Sequence, residues 1–558
     1  MRAPSQAIAI AISTAALGCG SAETTDGPAQ ATPPGQDAGG DAAGSVCVNV
    51  DPSVAGPDDA CGIFVSSSLG SDENAGTLER PVRTMSKALA LALEGSKRVY
   101  ACAEVFHEAV EIPAGIELWG GLDCANGWAY AGPTKKTTIA PEPDVIPLRF
   151  LSGEGRSGVI DVRAEAADAV QPGGSSIAAL VLPGAAVEFT RSELAAGNGA
   201  AGAAGEQGGG PGAPFQLPKG ADGLPGGDAC DANFVPGGAA VVTVCESVES
   251  IGGKGGNGRL TYGEDGEDGQ PVPQNPDGLK GQGGYGQNGN HTQCMSGHVG
   301  NPGKDGEHGL GAAGPGWITV AGWEGENGQN GGDGLPGQGG GGGGGVRGPL
   351  YNDCGPNQPQ GGASGGSGGA GGCGGKGGKG GGSGGASIGL LSLSVDVTIR
   401  ATMITTAEGG DGGRGGLWQG GGPGGTGGAG GVGWWSGPGC YGGEGGKGGN
   451  GGHGGGGLGG PSVGIAHMID HPVTLEDVTI STGNPGRGGP GGSQTVTLPG
   501  TAGVDGLEGD VLSFPAQWPS YDDGEQDDSS HPYLSGCGWP RGWSARLPPL
   551  RLRRLRNL

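Results

Sequence analysis

Short apolar alternations, each ended by glycine, asparagine or proline, dominate the chain between residues 62 and 140. The first is Ile63-Phe64-Val65. The others are RVYAC at 98–102, AVEI at 109–112, GIELWGG at 115–121 and TTIA at 137–140. Alternation over so few residues predicts half-buried β-strands. We therefore expect many short strands and an all-β fold.

One amphipathic helix is predicted among these strands, over residues 81–94. Its apolar face consists of Val82, Met85, Leu89, Ala92 and Leu93. Thr84 or Ser86 can serve as the N-cap, and Gly95 stands at the far end. A single helix ahead of many short strands is typical of a solenoid of stacked coils, with the helix covering one end of the core.

Beyond residue 175 one strand pattern occurs three times at unequal intervals. Each copy has an apolar strand led by serine, a V-x-apolar triplet and a further aliphatic residue before a glycine-rich insert. The copies begin at Ser176, Ser387 and Ser462, and a weaker one is predicted at 239–251. So few apolar residues cannot be buried within one copy, so we expect the copies to stack. We also expect the inserts to leave from one corner of the stack. The inserts span residues 197–238, 252–385, 409–460 and 484–509.

Glycine gives these inserts a different character, because 140 of the 558 residues are glycine and only 4% are aromatic. Glycine has no side chain to bury, so the inserts cannot form a side-chain core. Glycine recurs at every third residue from Gly300 to Gly309, and residues 365–380 are a GGX run. Glycine at every third residue lets neighbouring backbone segments approach one another closely. The inserts are therefore either packed polyglycine-II-like strands or disordered. In composition and repeat they resemble the PGRS-type glycine-rich surface proteins of bacteria.

Residues 62–140 also resemble a known fold family. IFVSSSLGSDENAGTLERPVRTMSKALALA, followed by VYAC and EVFHEAVEIPAGIELWGGLDC, is similar to the start of the pectate-lyase-like group of right-handed parallel β-helix proteins. Phe106 stands where that pattern has tyrosine. The resemblance implies a right-handed parallel β-helix with an N-terminal capping helix, and the spacing of the three copies adds long glycine-rich inserts to it. It implies a fold and does not imply an activity.

The first nineteen residues resemble the signal peptide of bacterial lipoproteins. Arg2 is followed by the apolar stretch AIAIAISTAAL, which is too short to span a bilayer. Ala16-Leu17-Gly18-Cys19 resembles a lipobox, which implies cleavage before Cys19 and lipid attachment to it. An ordinary cleaved signal peptide is the alternative. Residues 20–45 are small, polar and rich in proline and glycine, as in a flexible tether. We expect export to the outer membrane or cell surface, with the lipid holding the protein on the membrane.

The net charge of the chain bears on its partners, and its cysteines bear on its disulfides. A net charge of −26 repels phosphate backbones, so we expect no nucleic-acid partner. Cysteines in an exported protein favour disulfides, and no cysteine or histidine spacing fits a structural zinc site. Proximity along the chain suggests five pairs, of which the first three carry the prediction. They are Cys47–Cys61, Cys102–Cys124, Cys230–Cys245, Cys294–Cys354 and Cys373–Cys440.

No set of residues predicts catalysis. The charged residues on consecutive predicted coils are Asp161, Arg163, Glu188 and Arg191, and ordinary outward-facing positions explain them equally well. His467 and His471 lack the glutamate of a metalloprotease motif. Two G-x-S-x-G matches, at 362–366 and 381–385, are expected by chance at this glycine content.

Calcium is the one cofactor that the carboxylates allow. Asp72-Glu73 and the GEDGEDG run at 263–269 place carboxylates in glycine loops, although neither has the spacing of a known calcium loop. Solvated loops are the favoured interpretation, so we expect no cofactor.

These observations divide the chain into consecutive parts. They are a signal peptide at 1–19, a tether at 20–45, a β-helix part at 46–196, an insert at 197–385 with a coil at 239–251, a coil at 386–408, an insert at 409–461, coils at 462–515 and a tail at 516–558. The expected function is that of a lipid-anchored surface protein with a structural, adhesive or glycan-binding role and no catalysis, and its expected partners are extracellular polysaccharide or other cell-surface components. The alternative is a polysaccharide lyase or glycoside hydrolase on the same scaffold.

Overall fold

The computed structural model describes residues 51–95, 98–274, 277–351, 353–433, 436–493 and 501–516. The predicted signal peptide, Cys19, Cys47, the tether and the tail beyond residue 516 lie outside these residues. Within the described ranges, no helix is both long enough and apolar enough to cross a membrane.

Three parallel sheets of short strands make up most of the regular structure, as expected of an all-β chain. Sheet 1 contains, in spatial order, Ile63–Val65, Arg98–Cys102, Glu117–Asp123, Arg156–Ile160, Ala186–Thr190, Asp396–Arg400 and Thr474–Glu476, and Ala129–Tyr130 pairs antiparallel to its third strand. Sheet 2 contains Val105–Phe106, Thr137–Ile139, Val162–Ala166, Glu193–Ala196, Met403–Thr406 and Thr479–Ser481. Sheet 3 contains Val110–Ile112, Leu148–Phe150, Ser176–Val181, Ser387–Ser392, Ser462–Met468 and Glu508–Phe514.

From residue 98 the chain visits the sheets in the repeating order 1, 2, 3, and each visit adds a strand beside the previous one. The predicted copies pair in parallel register, with Ser176 opposite Ser387 and Ser387 opposite Ser462. Stacking of the three copies is therefore confirmed. Three long excursions, at 197–386, 407–461 and 482–507, each follow a strand of sheet 2 and end before a strand of sheet 3, so the single exit corner is confirmed as well.

The apolar side chains of the three sheets form one core, which the helix Met85–Glu94 joins. The Thr84 side chain accepts a hydrogen bond from the Lys87 amide at 3.2 Å, and Gly95 is the C-cap. Met85, Ala88, Leu89 and Ala92 are buried, while Leu93 remains 42% exposed. The helix prediction is confirmed for residues 85–94. Its predicted start is wrong, because Val82 lies before the helix and forms a parallel bridge to Val65, and so is the inward orientation of Leu93. Short helices also occur at Pro52–Ala55 and Cys124–Asn126.

A hairpin on the outer side of sheet 3 creates a second core. Strands Trp317–Thr319 and Gly322–Glu324 pair antiparallel, and Ile318 and Trp323 pack with outward residues of sheet 3 such as Ile177 and Leu391. Sheet 3 is therefore buried on both faces, which explains its continuous apolar strands.

The predicted coil at 239–251 is wrong. Val241–Cys245 and Val248–Gly252 pair antiparallel with each other and join none of the three sheets. Alternating valines favoured a strand at this position, but the tight Glu246-Ser247 connection closes it as a local hairpin before it can stack. Phe234–Val235 and Gly258–Arg259 form a further small antiparallel pair.

The described residues of the four inserts, apart from the hairpins, form one array of extended segments that we call the glycine array. Backbone hydrogen bonds join its segments at intervals of three residues. Gly328, Gly331 and Gly334, for example, donate to the carbonyls of Gly381, Gly378 and Gly375 at 2.8–2.9 Å. The inserts are therefore ordered, and the period-three glycines let the segments pack against one another.

Backbone hydrogen bonding is dense along the run at 339–345. Successive glycine amides of the run donate to three neighbouring segments in turn, and its carbonyls accept hydrogen bonds from three other segments. The six neighbours are residues 253–256, 264–270, 284–287, 295–298, 366–369 and 440–443. All seven glycines are buried, and their backbone groups replace the side chains of an ordinary core.

Disulfides connect segments that are distant in the chain. The structure confirms Cys102–Cys124, with Cα atoms 5.6 Å apart, and Cys61 is also disulfide-bonded. The predicted pairs Cys230–Cys245, Cys294–Cys354 and Cys373–Cys440 are wrong. The observed bonds are Cys230–Cys354, Cys245–Cys373 and Cys294–Cys440. Pairing the cysteines by their proximity in sequence gave wrong disulfides, because these cysteines lie on segments that become neighbours only through the glycine array.

Candidate functional site

Asp161 and Arg191 meet at the corner between sheets 1 and 2. Each is a single residue with positive φ, 54° and 48°, that turns the chain from one sheet to the next. The Arg191 Nη2 atom lies 2.7 Å from the Asp161 Oδ2 atom. The Tyr130 hydroxyl donates to Asp161 Oδ1 at 3.2 Å. Asp161 is only 1% exposed, so its carboxylate is enclosed by its partners.

Lys136 extends this corner cluster. Its ammonium donates to the carbonyls of Pro133 and Arg191. Burial lowers the pKa of Lys136, against the opposite effect of the Asp161 charge. Burial and the same carboxylate raise the pKa of Tyr130. The corner is a network of ion pairs and hydrogen bonds that encloses the Asp161 carboxylate, and the half-buried Asp51 joins it with its Oδ2 atom 3.6 Å from Arg191 Nη1.

Arg163 and Glu188 lie apart from this corner, on the strands of two different sheets. Arg163 in sheet 2 pairs with Glu193 and Glu165. Glu188 in sheet 1 accepts from Arg400 at 3.0 Å. The structure therefore brings together two of the four candidate residues and separates the others. It gives all four an ion-pair partner.

The aspartates of the two runs proposed for calcium accept hydrogen bonds from backbone amides, whereas Glu264 pairs with the Arg259 side chain. Asp265 and Asp268 accept hydrogen bonds from Gly286 and Gly283 at 2.7 and 2.8 Å. Asp72 accepts from the backbone amides of Arg83 and Thr84. Burial acts to raise the pKa of Asp72, but these hydrogen bonds lower it below its ordinary value.

Asp265 and Asp268 belong to a pattern that the sequence analysis missed. Eight aspartates of the glycine array each accept an amide hydrogen bond from an adjacent segment, and each is the third residue of a Gly-x-Asp triplet. They are Asp222, Asp228, Asp265, Asp268, Asp305, Asp333, Asp411 and Asp505. Asn327 and Asn330 do the same in Gly-x-Asn triplets.

These side chains satisfy amides at the surface of the array, where a further segment would otherwise be needed to accept them. We call them the Gly-x-Asp caps. Their pattern is visible in the sequence as an aspartate two residues after a glycine, but only the structure shows which amides donate to them. They account for part of the negative charge of the inserts without requiring a ligand.

The histidines and serine motifs have structural surroundings. His467 Nδ1 lies 2.7 Å from the Met468 carbonyl, and no cation-ligating group of three in the described residues includes His467 or His471. Ser364 of the first G-x-S-x-G match is fully buried and donates to the Pro236 carbonyl at 2.8 Å. Ser383 of the second match lies in the same segment of the array, where its amide donates to Asn327.

The group of possible metal ligands found in the described ranges is Cys102, Glu104 and Cys124. The two sulfur atoms form a disulfide and so cannot act as thiolates. Glu104 accepts hydrogen bonds from Ser67 and Ser68. Burial would raise its pKa, but the bonds from these serines lower it. This site does not fit a metal ion while the disulfide is present.

The clefts on the described part of the surface include the following two. One of about 670 Å³ lies between the helix Met85–Glu94, sheet 3 and the hairpin turn at Ala321. Another of about 390 Å³ lies beside the hairpin Val241–Gly252. At the edge of this second cleft, Lys376 pairs with Asp333 at 2.8 Å and with Glu246 at 2.6 Å.

Comparison of the chain with protein-family models, curated proteins and solved structures finds no match. The resemblances noted from the sequence therefore stay predictions, and function has to be argued from the residues themselves.

Proposed function

We propose that this protein is a lipid-anchored cell-surface protein with a structural, adhesive or glycan-binding role and no catalytic activity. In this proposal the three parallel sheets are the faces of a right-handed parallel β-helix, capped by the helix Met85–Glu94. The glycine array is a polyglycine-II-like bundle, built on one corner of that β-helix and displayed outside the cell. The lipid on Cys19 and the tether at 20–45 hold both on the membrane.

The glycine array is the observation that carries this proposal. Its interior is occupied by backbone hydrogen bonds and its surface amides are satisfied by the Gly-x-Asp caps. An ordered bundle of this kind offers a stiff polar surface, which suits contact with a matrix or a polysaccharide.

The cyclic order of the sheets supports the β-helix interpretation. From residue 98 onward, parallel strands that are neighbours in a sheet are always separated by one passage of the chain through the three sheets. A residue with positive φ recurs at the corner between sheets 1 and 2, at Asp161, Arg191, Ala401 and Asp477. The uniform corner is what stacked coils of equal geometry require.

Cleavage of a polysaccharide has less support. A general acid or base must reach the substrate with an atom that is free to donate or accept a proton. Asp161 is enclosed by Arg191 and Tyr130, while Arg163 and Glu188 are engaged in separate ion pairs.

Lipid attachment is tested by expressing the full chain in a bacterial host with an alkyne-labelled fatty acid. We expect label and membrane fractionation for the wild type, and loss of both for Cys19→Ser. Cys537→Ser, which changes a cysteine far from the proposed lipobox, is the matched control. Labelling of Cys19→Ser at the wild-type level would contradict the anchor.

The absence of catalysis is tested on the same purified protein with a polysaccharide panel, with and without calcium. Retention of a polysaccharide without new reducing or unsaturated ends is the expected result for an adhesive protein. Product release that disappears in Asp161→Asn would contradict the proposal and identify an active site.

A further inference from the structure

The cleft beside the hairpin Val241–Gly252 is formed by segments that lie far apart in the chain, and we call it the hairpin cleft. Its lining comes from residues 217–218, 244–248, 333–336, 373–376 and Gln419. The Cys245–Cys373 disulfide holds the tip of the hairpin against the glycine array, which fixes the position of one wall. The volume of about 390 Å³ lies within the range of about 300–1,000 Å³ that small-molecule sites have. The hairpin cleft is therefore large enough to hold a ligand.

Aliphatic side chains on the walls of the hairpin cleft are open to solvent. Val244, Val248 and Leu335 are 65%, 43% and 57% exposed, and Leu217 and Pro336 also line the cleft. Covering this aliphatic surface with an apolar group removes it from water, which is favourable. The walls therefore favour a ligand that has at least one apolar face.

The charged residues of the lining are Glu246, Asp333 and Lys376. Two carboxylates and one ammonium give the cleft a net charge of −1. The Lys376 ammonium lies 2.8 Å from Asp333 and 2.6 Å from Glu246. Its hydrogen bonds to these carboxylates raise the pKa of Lys376, so the ammonium stays charged at neutral pH. An anionic ligand would add to the excess negative charge, so the lining disfavours anions.

These three side chains also keep hydrogen-bonding capacity for a ligand. An ammonium has three donors and each carboxylate oxygen has two lone pairs, so the two ion pairs use only part of that capacity. Gln419, which is 2% exposed, holds the backbone of Lys376 in place. Its Oε1 atom accepts from the Lys376 amide at 3.2 Å, and its Nε2 atom donates to the Pro214 carbonyl at 2.8 Å. The polar groups are therefore positioned before a ligand arrives, which lowers the entropic cost of binding.

A neutral sugar matches this lining, because C–H groups form the faces of its ring and hydroxyl groups surround the rim. The hydroxyls can donate to the Glu246 and Asp333 carboxylates and accept from the Lys376 ammonium. We propose that the hairpin cleft binds a neutral oligosaccharide, with the apolar face of a sugar ring against Val248 and Leu335. This inference rests on the proposed glycan-binding role and gives that role a site.

The test is saturation-transfer NMR of the oxidised full chain with the neutral disaccharides cellobiose, maltose, lactose and diacetylchitobiose, and with the acidic disaccharide digalacturonate. We expect transfer to at least one neutral disaccharide and weaker transfer to digalacturonate. Val248→Trp places an indole in the cleft and should abolish the transfer. Val242→Trp is the matched control, because Val242 is 44% exposed on the same hairpin but does not line the cleft, and it should keep the wild-type signal.

Glu246→Gln keeps the test decisive if Val248→Trp disturbs folding. It leaves the apolar walls unchanged and removes one charged acceptor, so the Kd of the disaccharide should rise about tenfold. Unchanged Kd in Glu246→Gln, transfer that persists in a folded Val248→Trp, stronger transfer to digalacturonate, or no transfer to any disaccharide would overturn the proposal.

Retention of polysaccharide by the wild type distinguishes the failure of this site from the failure of the proposed function. Retention without disaccharide transfer would place glycan binding elsewhere on the protein and refute the hairpin cleft alone. Loss of both signals would refute the glycan-binding role together with its site.

Discussion

Alanine at Gly342 would place a methyl group inside the glycine array. Its Cβ atom would lie closer than 3.0 Å to the carbonyl of Lys254, an approach that real Cβ atoms essentially never show. The obstacle is backbone, which cannot rotate away as a side chain can. Segment 253–256 must therefore move away from the run at 339–345.

The cost of that movement can be estimated from the bonds that join the two segments. Gly253 donates to Gly340, and Gly256 donates to Gly343, both at 2.8 Å. Losing two such bonds costs about 2 kcal/mol. The strain of inserting a methyl group into close-packed structure adds about 1–3 kcal/mol. We therefore expect Gly342→Ala to destabilise the array by about 3–5 kcal/mol.

Gly289→Ala is the matched control, because nothing lies within 4 Å of its added Cβ atom and the residue is exposed. It should be neutral or stabilising by up to about 1 kcal/mol, since alanine restricts the unfolded chain. The assay is guanidinium unfolding of the oxidised full chain, followed by circular dichroism and tryptophan fluorescence. Equal midpoints for Gly342→Ala, Gly289→Ala and the wild type would refute the packed array.

Three further predictions follow from the ion pairs, the disulfides and the caps. Arg191→Ala leaves the buried Asp161 carboxylate without its cation and should destabilise the protein by about 3 kcal/mol, measured by the same unfolding assay; Arg163→Ala, at a more exposed pair, should change the midpoint far less. Replacing both Cys245 and Cys373 with serine opens a loop of 128 residues and should cost about 4–5 kcal/mol, and an unchanged thermal midpoint would contradict the observed pairing. Hydrogen bonds from Lys219 and Thr426 lower the pKa of Asp222 to about 2, so the stability that this cap contributes is present above about pH 4 and is lost as the pH falls toward 2; Asp222→Asn should remove this one contribution and make the acid limb of stability measured against pH slightly shallower, and an identical limb would count against this cap.

Local patterns in the sequence predicted the strand stack well. RVYAC was expected at 98–102 and forms the strand Arg98–Cys102, and the three copies beginning at Ser176, Ser387 and Ser462 pair in register. Both predictions depend on alternation over a few residues and on equal spacing within a copy. Neither property is disturbed by the long inserts, because the inserts leave from the same corner.

Partner choice inside the glycine array could not be predicted. Segments with a Gly-x-x period have nearly the same local pattern, so nothing in a segment such as 363–385 specifies its neighbours. The structure places 328–346, 410–431 and 440–461 around it. The disulfide predictions failed for the same reason, since the Cys245–Cys373 pair depends on that packing.

The candidate site was only partly accessible from the sequence. Asp161 and Arg191 were noticed because charged residues recur on consecutive coils. That they share one corner, with positive φ at both, required the fold. The Gly-x-Asp caps had a readable spacing, yet their role depends on amides that lie between about 15 and 204 residues away in the chain.

The central claim is that the glycine-rich inserts form one ordered, hydrogen-bonded array. Amide hydrogen exchange of the oxidised full chain, followed by mass spectrometry on peptides covering 339–346, tests it most directly. The account predicts that these amides exchange as slowly as those of the buried strand Ser387–Ser392. Exchange at the rate of an unstructured glycine peptide, while the strand stays protected, would contradict it.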